Sequence, residues 1–563
     1  MNMNKRGKQS SLLHCLALLQ IMLLALLTVS PHVLADEKLD QAVVKLQSSK
    51  LVDVRQALPL LKNSESDVAD ELLAALLTSD LYRSRNDNSL AVFGNTVPGG
   101  VEVRKLVMAH DSAGLAEPEV VSKSDFRRVA TNNAMRRQIR TLIATRNLQH
   151  KDVDRRLMAV NQVFDQLDED IIELIQTAFA DEANAEVKSL MQQALHLYRL
   201  QNGETGDQLE AAQSLQNSLQ PAVVNEFRSV QQELAQASEA RALNEQEKLL
   251  LRSVRDGIKK VAEKTEFYAK VENLFFGLSL GSVLVLAAIG LAVTFGVMGV
   301  INMAHGELIM LGAYTTFVIQ QLMPQQTGLA LLLSIPCAFV VSGVVGMLIE
   351  RGVIRFLYGR PLETLLATFG VSLILQQAVR SIFSPLNRAV ESPDWMHGVW
   401  QINPIFAITY NRLFIIFFSL MVFFALLLVL KKTSLGLRVR AVSQNRSMAQ
   451  AMGVRSAWVD CTTFGLGSGI AGIAGVALSQ LTNVGPNLGQ SYIIDSFMVV
   501  VFGGVGNLWG TLVAGLSLGV ANKFLEPFSG AVLAKILVLI FIILFIQKRP
   551  RGLFPQKGRA VDG

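Results

Sequence analysis

Between residues 274 and 547 the chain is a succession of apolar runs. Most approach the twenty or so residues that cross the hydrocarbon core of a bilayer. Such a stretch has no polar face to give to water, and in hydrocarbon its backbone must satisfy itself, so helices are expected. The runs divide at about 274–297, 304–323, 328–350, 363–383, 408–430, 459–482, 493–505, 509–525 and 531–547. The last three are short or abut, and Gly503-Gly504-Val505-Gly506 marks a helix break that we expect to face the bundle interior. The 563 residues are 50% hydrophobic, yet residues 36–270 carry dense mixed charge. We therefore expect an all-α protein: a polytopic membrane domain of about 8–9 spans over 271–553, preceded by a helical domain over 36–270.

Charge orients the spans. Arg351, Arg355 and Arg360 follow the third run, six Lys or Arg and no acid lie in 431–455, and Lys548, Arg549 and Arg551 begin a tail that includes 554–563. The loops at 384–407 and 483–490 carry little positive charge, so the basic segments are expected in the cytoplasm. The formal net charge of +6 is assigned to these loops, and no basic stretch is interleaved with aromatics as nucleic-acid binding would need.

Lys5, Arg6 and Lys8, then an apolar stretch from Leu12 to Leu27 and Val33-Leu34-Ala35, read as a secretory signal cleaved after Ala35 or as an uncleaved anchor. Either would export residues 36–270. That region lacks strand-like alternation. Its helical segments at 154–160 and 186–192, aligned on Arg156 and Lys188, are related, with Val54–Leu58 as a third copy, similar to degenerate HEAT repeats. An irregular helical bundle is the alternative. Asn86–Gly114 reads as a loop or small non-helical insert, and 208–270 as long helices running into the first span.

Inside the apolar part, Phe295–Tyr314 contains Asn302, His305 and Glu307 among small residues, a polar bend expected near a membrane interface. Thr368, Ser372, Gln376, Gln377 and Asn483 are further polar residues expected to face the interior. Cys337 and Cys461 are expected as small buried hydrophobes, with no spacing that suggests zinc or another metal. No G-x-S-x-G or HExxH is present, so no catalytic residue is assigned.

Three motifs carry a resemblance. NMAHGE at 302–307, GLRVRAVSQNRSMAQAMGV at 436–454 and GGVGNLWGTLVAG at 503–515 resemble the LivH-type permeases, membrane subunits of ABC importers for branched-chain amino acids and urea. The long segment ahead of the spans resembles the urea permeases of that family more than its amino-acid permeases. As polar groups in apolar runs, Asn302, His305, Glu307, Thr368 and Gln376 are the candidate path, with satisfaction of backbone freed by the bend as the alternative for Asn302 and His305 and an interface position as that for Glu307. The resemblance implies an ATPase-coupling helix over Ser443–Met452, with Ala441, Ser447, Ala449 and Gly453 as the residues in and beside it. In that helix Ser447 and Met448 stand where the usual importer signature has Glu and Ala. It also implies partners: a LivM-like second permease subunit, cytoplasmic ABC ATPase subunits, a periplasmic solute-binding protein and membrane lipid, but no nucleic acid. The chain has no Gly-x-x-x-x-Gly-Lys-Ser/Thr, so ATP would be used by the partner subunits and no cofactor by this chain. A gated channel with a regulatory exported domain is the reading from another class.

Overall fold

The computed structural model describes residues 37–554 apart from 49, 65, 98–99, 110–111 and 165–166. The leader expected over 1–35 and the tail beyond Phe554 lie outside the described residues. The fold is helical, and the chain forms two compact units that divide between Ile258 and Lys259.

The first unit opens with α1 (Glu37–Leu46), α2 (Leu51–Lys62) and α3 (Asp67–Thr78), whose Leu39, Val54, Leu58 and Leu72 share one core. Helices α4 (Asn133–Leu148), α5 (Val153–Val163), α6 (Glu169–Asp181), α7 (Ala185–Asn202), α8 (Thr205–Leu215) and α9 (Pro221–Ala240) build a second. Their starts are written in the sequence. Asn132, Asp152, Asp168 and Asn184 each accept a backbone N–H of the following first turn. The 154–160 and 186–192 segments lie in α5 and α7 on the same core, whereas Val54–Leu58 belongs to the other.

A sheet stands in the sequence between these helices, over and around the non-helical insert expected at Asn86–Gly114, although no strand-like alternation was expected in the region. Strands β1 (Leu81–Ser84), β2 (Leu90–Val97), β3 (Gly100–Ala109), β4 (Ser112–Leu115) and β6 (Phe126–Arg128) run in the order β4-β3-β2-β1-β6. Strand β5 (Glu119–Val121) also pairs with β3, and every pairing is antiparallel. The period-two signal is Val101-Glu102-Val103, with both valines buried, and it is too short to stand out beside long helical runs. Tyr82 stacks on Phe93 at 3.8 Å, the kind of cross-strand pair that fixes register.

Arg156 and Glu182 form a half-buried ion pair in this unit. Arg156 donates two hydrogen bonds to Glu182, at 2.8 and 3.1 Å, and the side chains are only 15% and 5% exposed. The hydrogen bond from Arg156 holds the Glu182 carboxyl below its ordinary value of 4.5. A carboxyl lowered on folding stabilises the fold above its unfolded value and loses that contribution as pH falls through its folded value. Hydrogen exchange of peptides spanning 153–182 is therefore expected to quicken below about pH 4.5, relative to the rest of the unit, in the native protein. In Arg156→Ala exchange is expected to be faster already at neutral pH, because the Glu182 carboxyl loses two hydrogen bonds from a charged donor, interactions worth about 1.5–3 kcal/mol.

Helix α10 (Glu245–Met298) begins in the first unit and ends in the second. The second unit continues with α11 (His305–Leu322), α12 (Thr327–Gly352), α13 (Pro361–Phe383), a hairpin of β7 (Val399–Asn403) and β8 (Phe406–Thr409), and α14 (Tyr410–Lys432). Then come α15 (Ser434–Gln444), α16 (Arg446–Ala451), α17 (Ser456–Ser479), α18 (Leu488–Gly503) and α19 (Leu508–Lys548), the last interrupted at Gly530. Six of these helices are long and apolar enough to cross a membrane, and the unit is that of a multi-pass membrane protein. The runs expected at 509–525 and 531–547 lie end to end in α19.

Helix α17 is the centre. Its apolar window is 83% buried, against 28% for α13 and 17% for α19. Glycine lets the backbones touch: Gly467 meets Gly290 of α10, and Gly472 and Gly475 meet Gly312 and Ile309 of α11. Cys461 is buried on this helix, but Cys337 on α12 is exposed, which corrects the expectation for it. Both are apolar enough for lipid, and sequence periodicity does not separate a lipid face from a protein face when each is apolar.

Candidate functional site

Helix α10 stops at Met298, and Gly299, with φ +67°, turns the chain back. His305 Nε2 then lies 2.9 Å from the carbonyl of Ala287, so this nitrogen carries the hydrogen. Ala287 is eleven residues before Met298, about 16 Å along a helix at 1.5 Å per residue. The bend thus re-enters the bundle and α11 starts at depth, rather than at an interface as expected. Irregular backbone there needs partners. Asn302 Oδ1 accepts the amide of Ala304 at 3.0 Å, and Thr368 Oγ1 accepts that of Met303 at 3.2 Å. Asn302, His305 and Thr368 are therefore all bonded to backbone, with Asn302 Nδ2 left unpartnered and buried.

Glu307 stands in the first turn of α11, where the helix dipole favours a carboxylate. It is 1% exposed. Its Oε1 accepts hydrogen bonds from Ser372 Oγ at 2.9 Å and Gln376 Nε2 at 2.8 Å, while Oε2 is buried without a partner. These donors belong to a stripe on α13. Thr364, Thr368, Ser372 and Gln376, one per turn, are buried, whereas Leu362, Leu366, Leu373 and Ile374 are exposed. Arg380 extends the stripe and donates to Asn487 Oδ1 at 2.7 Å. A helix that hides its polar face and shows its apolar one is built for lipid outside and polar contents inside. The period of four is legible in the sequence and brings in Thr364, which the residue-by-residue reading missed. Gln377 and Asn483 are exposed and lie off this stripe, a correction to their expected interior placement.

At the far end of α14 the expected single helix Ser443–Met452 is two, α15 and α16, broken at Asn445. Asn445 adopts an extended backbone, and its side chain caps α16 by accepting the amide of Met448 at 3.0 Å. Ala449 is buried against Val439, Val442 and Val459, Ala441 is half-buried, and Ser447 is exposed, bonded to Asn445. Gly453 has φ +86° and ends α16: its amide reaches Gln450 O at 2.9 Å and that of Val454 reaches Ala449 O at 3.0 Å. This is the Schellman arrangement, which favours glycine at that position. Leu437, Met448 and Met452 are 63%, 61% and 79% exposed, beside a groove of about 590 Å³ bordered by Arg438, Arg455 and Trp458. The corner thus presents apolar knobs and cations together.

The break at Gly503, Gly504 and Gly506 is sealed rather than open. Helix α18 ends at Gly503, and its free carbonyls are met by the chain after α19: Leu553 donates to Phe502 O at 2.9 Å and Phe554 to Gly503 O at 3.2 Å. Gly504 and Gly506 have φ +104° and +78°, and Gly503 lies against Gly510. The break is a turn capped by the following segment, with Gly503 and Gly504 buried and Gly506 against Gly296 of α10.

Residues 273–546 match the family model for the branched-chain amino acid transport system permease component. The high-affinity branched-chain amino acid transport system permease protein BraD of Pseudomonas aeruginosa is 30% identical over 297 residues, covering 51% of this chain and 96% of BraD. The LivH protein of Escherichia coli K12, which carries the same description, is 29% identical with the same coverage. A probable branched-chain amino acid transport permease protein LivH of Methanocaldococcus jannaschii is 28% identical over 48% of this chain and 88% of its own length. No solved structure matches the chain.

Proposed function

The chain belongs to the family of branched-chain amino acid transport system permease components, and from that premise we propose that it is the membrane-spanning permease subunit of an ATP-driven importer for branched-chain amino acids. Solute would arrive from a periplasmic binding protein and pass to the cytoplasm between this chain and a LivM-like partner, with ATP hydrolysed by cytoplasmic ATPase subunits docked on α15 and α16. The basic segments at 351–360, 431–455 and 548–551 support a cytoplasmic position for that corner, with the first unit on the periplasmic side. Glu307 carries the solute reading. A buried carboxylate that holds two neutral donors and keeps one oxygen without a hydrogen-bond partner can accept the N–H groups of an amine at that oxygen.

Urea is the second reading, favoured by the first unit, which lies outside the family match and resembles the leading segment of urea permeases. Its N–H groups suit the same acceptor. Uptake of radiolabelled leucine and urea at low concentration, in cells with and without this gene, separates the two. Loss of leucine uptake alone is expected. Loss of urea uptake alone would move the substrate to urea, and loss of neither would remove the importer reading. Gly453→Val tests the ATPase connection: a β-branched residue cannot readily take φ +86°, so ATP-driven uptake should collapse at unchanged protein level, whereas a channel would conduct as before.

A further inference from the structure

Two buried carboxylates lie behind the α15–α16 corner. Glu350 ends α12 and Asp460 lies in the second turn of α17; both are 1% exposed. Each keeps one oxygen, Glu350 Oε2 and Asp460 Oδ1, with no hydrogen-bond partner. Tyr358, after α12, donates its hydroxyl to Glu350 Oε1 at 3.0 Å. Arg446 closes the group: its guanidinium pairs with Asp460 Oδ2 and lies over the Tyr358 ring, 5.3 Å from the centroid. The other cation nearby, Arg351, stands 3.7 Å from Glu350 and over the Trp458 ring at 5.3 Å.

Arg446 is the first residue of α16, directly after the break at Asn445. Ala449 is the one buried residue of that six-residue helix. So α16 is held to the bundle by one small apolar contact, by the Gln450 Nε2 to Ser456 Oγ hydrogen bond of 2.7 Å at the start of α17, and by one charged contact, and the charged one reaches deeper into α17 and, through Tyr358, α12. Those two helices pack against each other along their length, with Gly346 against Ser468 and Gly465 against Met347. We infer that Arg446 is the positioning residue that ties α16 to the α12–α17 pair, so that displacement of the corner moves the bundle rather than the corner alone. The inference rests on the proposal that ATPase subunits dock on α15 and α16. Physically, the link is stiff because breaking it leaves Asp460 buried without its compensating charge. It is also directional, since a planar guanidinium can meet a carboxylate oxygen at its edge while its face lies over a ring.

The test uses the complete importer in proteoliposomes, recording leucine uptake and ATP hydrolysis in the same sample. Arg446→Ala is expected to lower uptake per ATP hydrolysed at least tenfold. Asp460→Asn, which keeps the shape and removes the pair, should lower it in the same direction, and the double variant should be no worse than Arg446→Ala alone. An unchanged ratio in Arg446→Ala, with uptake and hydrolysis falling together, would overturn the inference and leave a structural role. If Arg446→Ala fails to assemble, Asp460→Asn decides: a normal ratio there overturns it. Absence of ATP-dependent uptake in the unsubstituted importer would overturn the importer reading, and this inference with it.

Discussion

Replacing Glu307 by alanine is expected to reduce the initial rate of solute uptake by about 10- to 100-fold, with the permease still assembled in the membrane. The size follows from losing interactions with a carboxylate, about 1.5–3 kcal/mol. Alanine deletes the acceptor of Ser372 and Gln376 together with the free Oε2. Glu307→Gln separates those roles. The amide oxygen can still accept from Ser372 and Gln376, but a donor replaces Oε2, so a solute N–H would meet another N–H. If the carboxylate serves the path, Glu307→Gln assembles like the native protein and still transports poorly. Normal KM and rate in Glu307→Gln would make Glu307 a scaffold for α13 instead, and the path would have to be sought elsewhere. Ser372→Ala is the milder companion: it removes one neutral donor and is expected to cost about 1 kcal/mol.

The largest effect on the fold is expected at Gly312 and Gly475. A Cβ on Gly312 would lie 2.0 Å from the carbonyl oxygen of Gly472, and one on Gly475 at 2.0 Å from that of Ile309. Both neighbours are backbone, so relief requires α11 and α17 to separate. Because α17 is the buried centre, separation there also disturbs its contacts with α10 and α12. Gly312→Leu and Gly475→Val should therefore fail to accumulate as folded protein, and even Gly475→Ala should lose about 1–3 kcal/mol or more. Gly370 on α13 is the control, since a Cβ there meets nothing within 4 Å. Gly370→Ala should fold as well as the native chain or slightly better, by about 0.5–1 kcal/mol, because alanine is the better helix former. Folded yield in detergent, measured by size-exclusion chromatography, orders these variants. A monodisperse Gly312→Leu protein at native yield would mean that the α11–α17 contact is looser than its geometry.

Much of this was open to reading before any coordinates. Apolar runs of membrane length dictate helices because hydrocarbon offers the backbone no other partner, and the capping residues of α4 to α7 stand where local chemistry puts them. The polar residues Asn302, His305, Glu307, Thr368 and Gln376 could be picked out because polarity within an apolar run is rare. The three motifs placed residues 274–553 in the LivH-type family, and the match over 273–546 agrees with it. The short strands around Val101-Glu102-Val103 were not legible, since three alternating residues carry little signal against long helical neighbours.

What only the tertiary structure decided is depth and partnership. Sequence gives the bend at Gly299 but not that the chain climbs back to Ala287, because that depends on which backbone is close enough to accept from His305. It gives Glu307 but not its donors on α13, sixty-five and sixty-nine residues away. It gives a basic loop but not that Arg446 alone turns inward to Asp460 and Tyr358. Helical periodicity is a local property set by 3.6 residues per turn, and hydropathy alone does not tell a lipid-facing side from a protein-facing one. The pairing of buried polar groups is set by which helices the small residues allow to touch, and Gly290, Gly312, Gly472 and Gly475 make that choice in three dimensions.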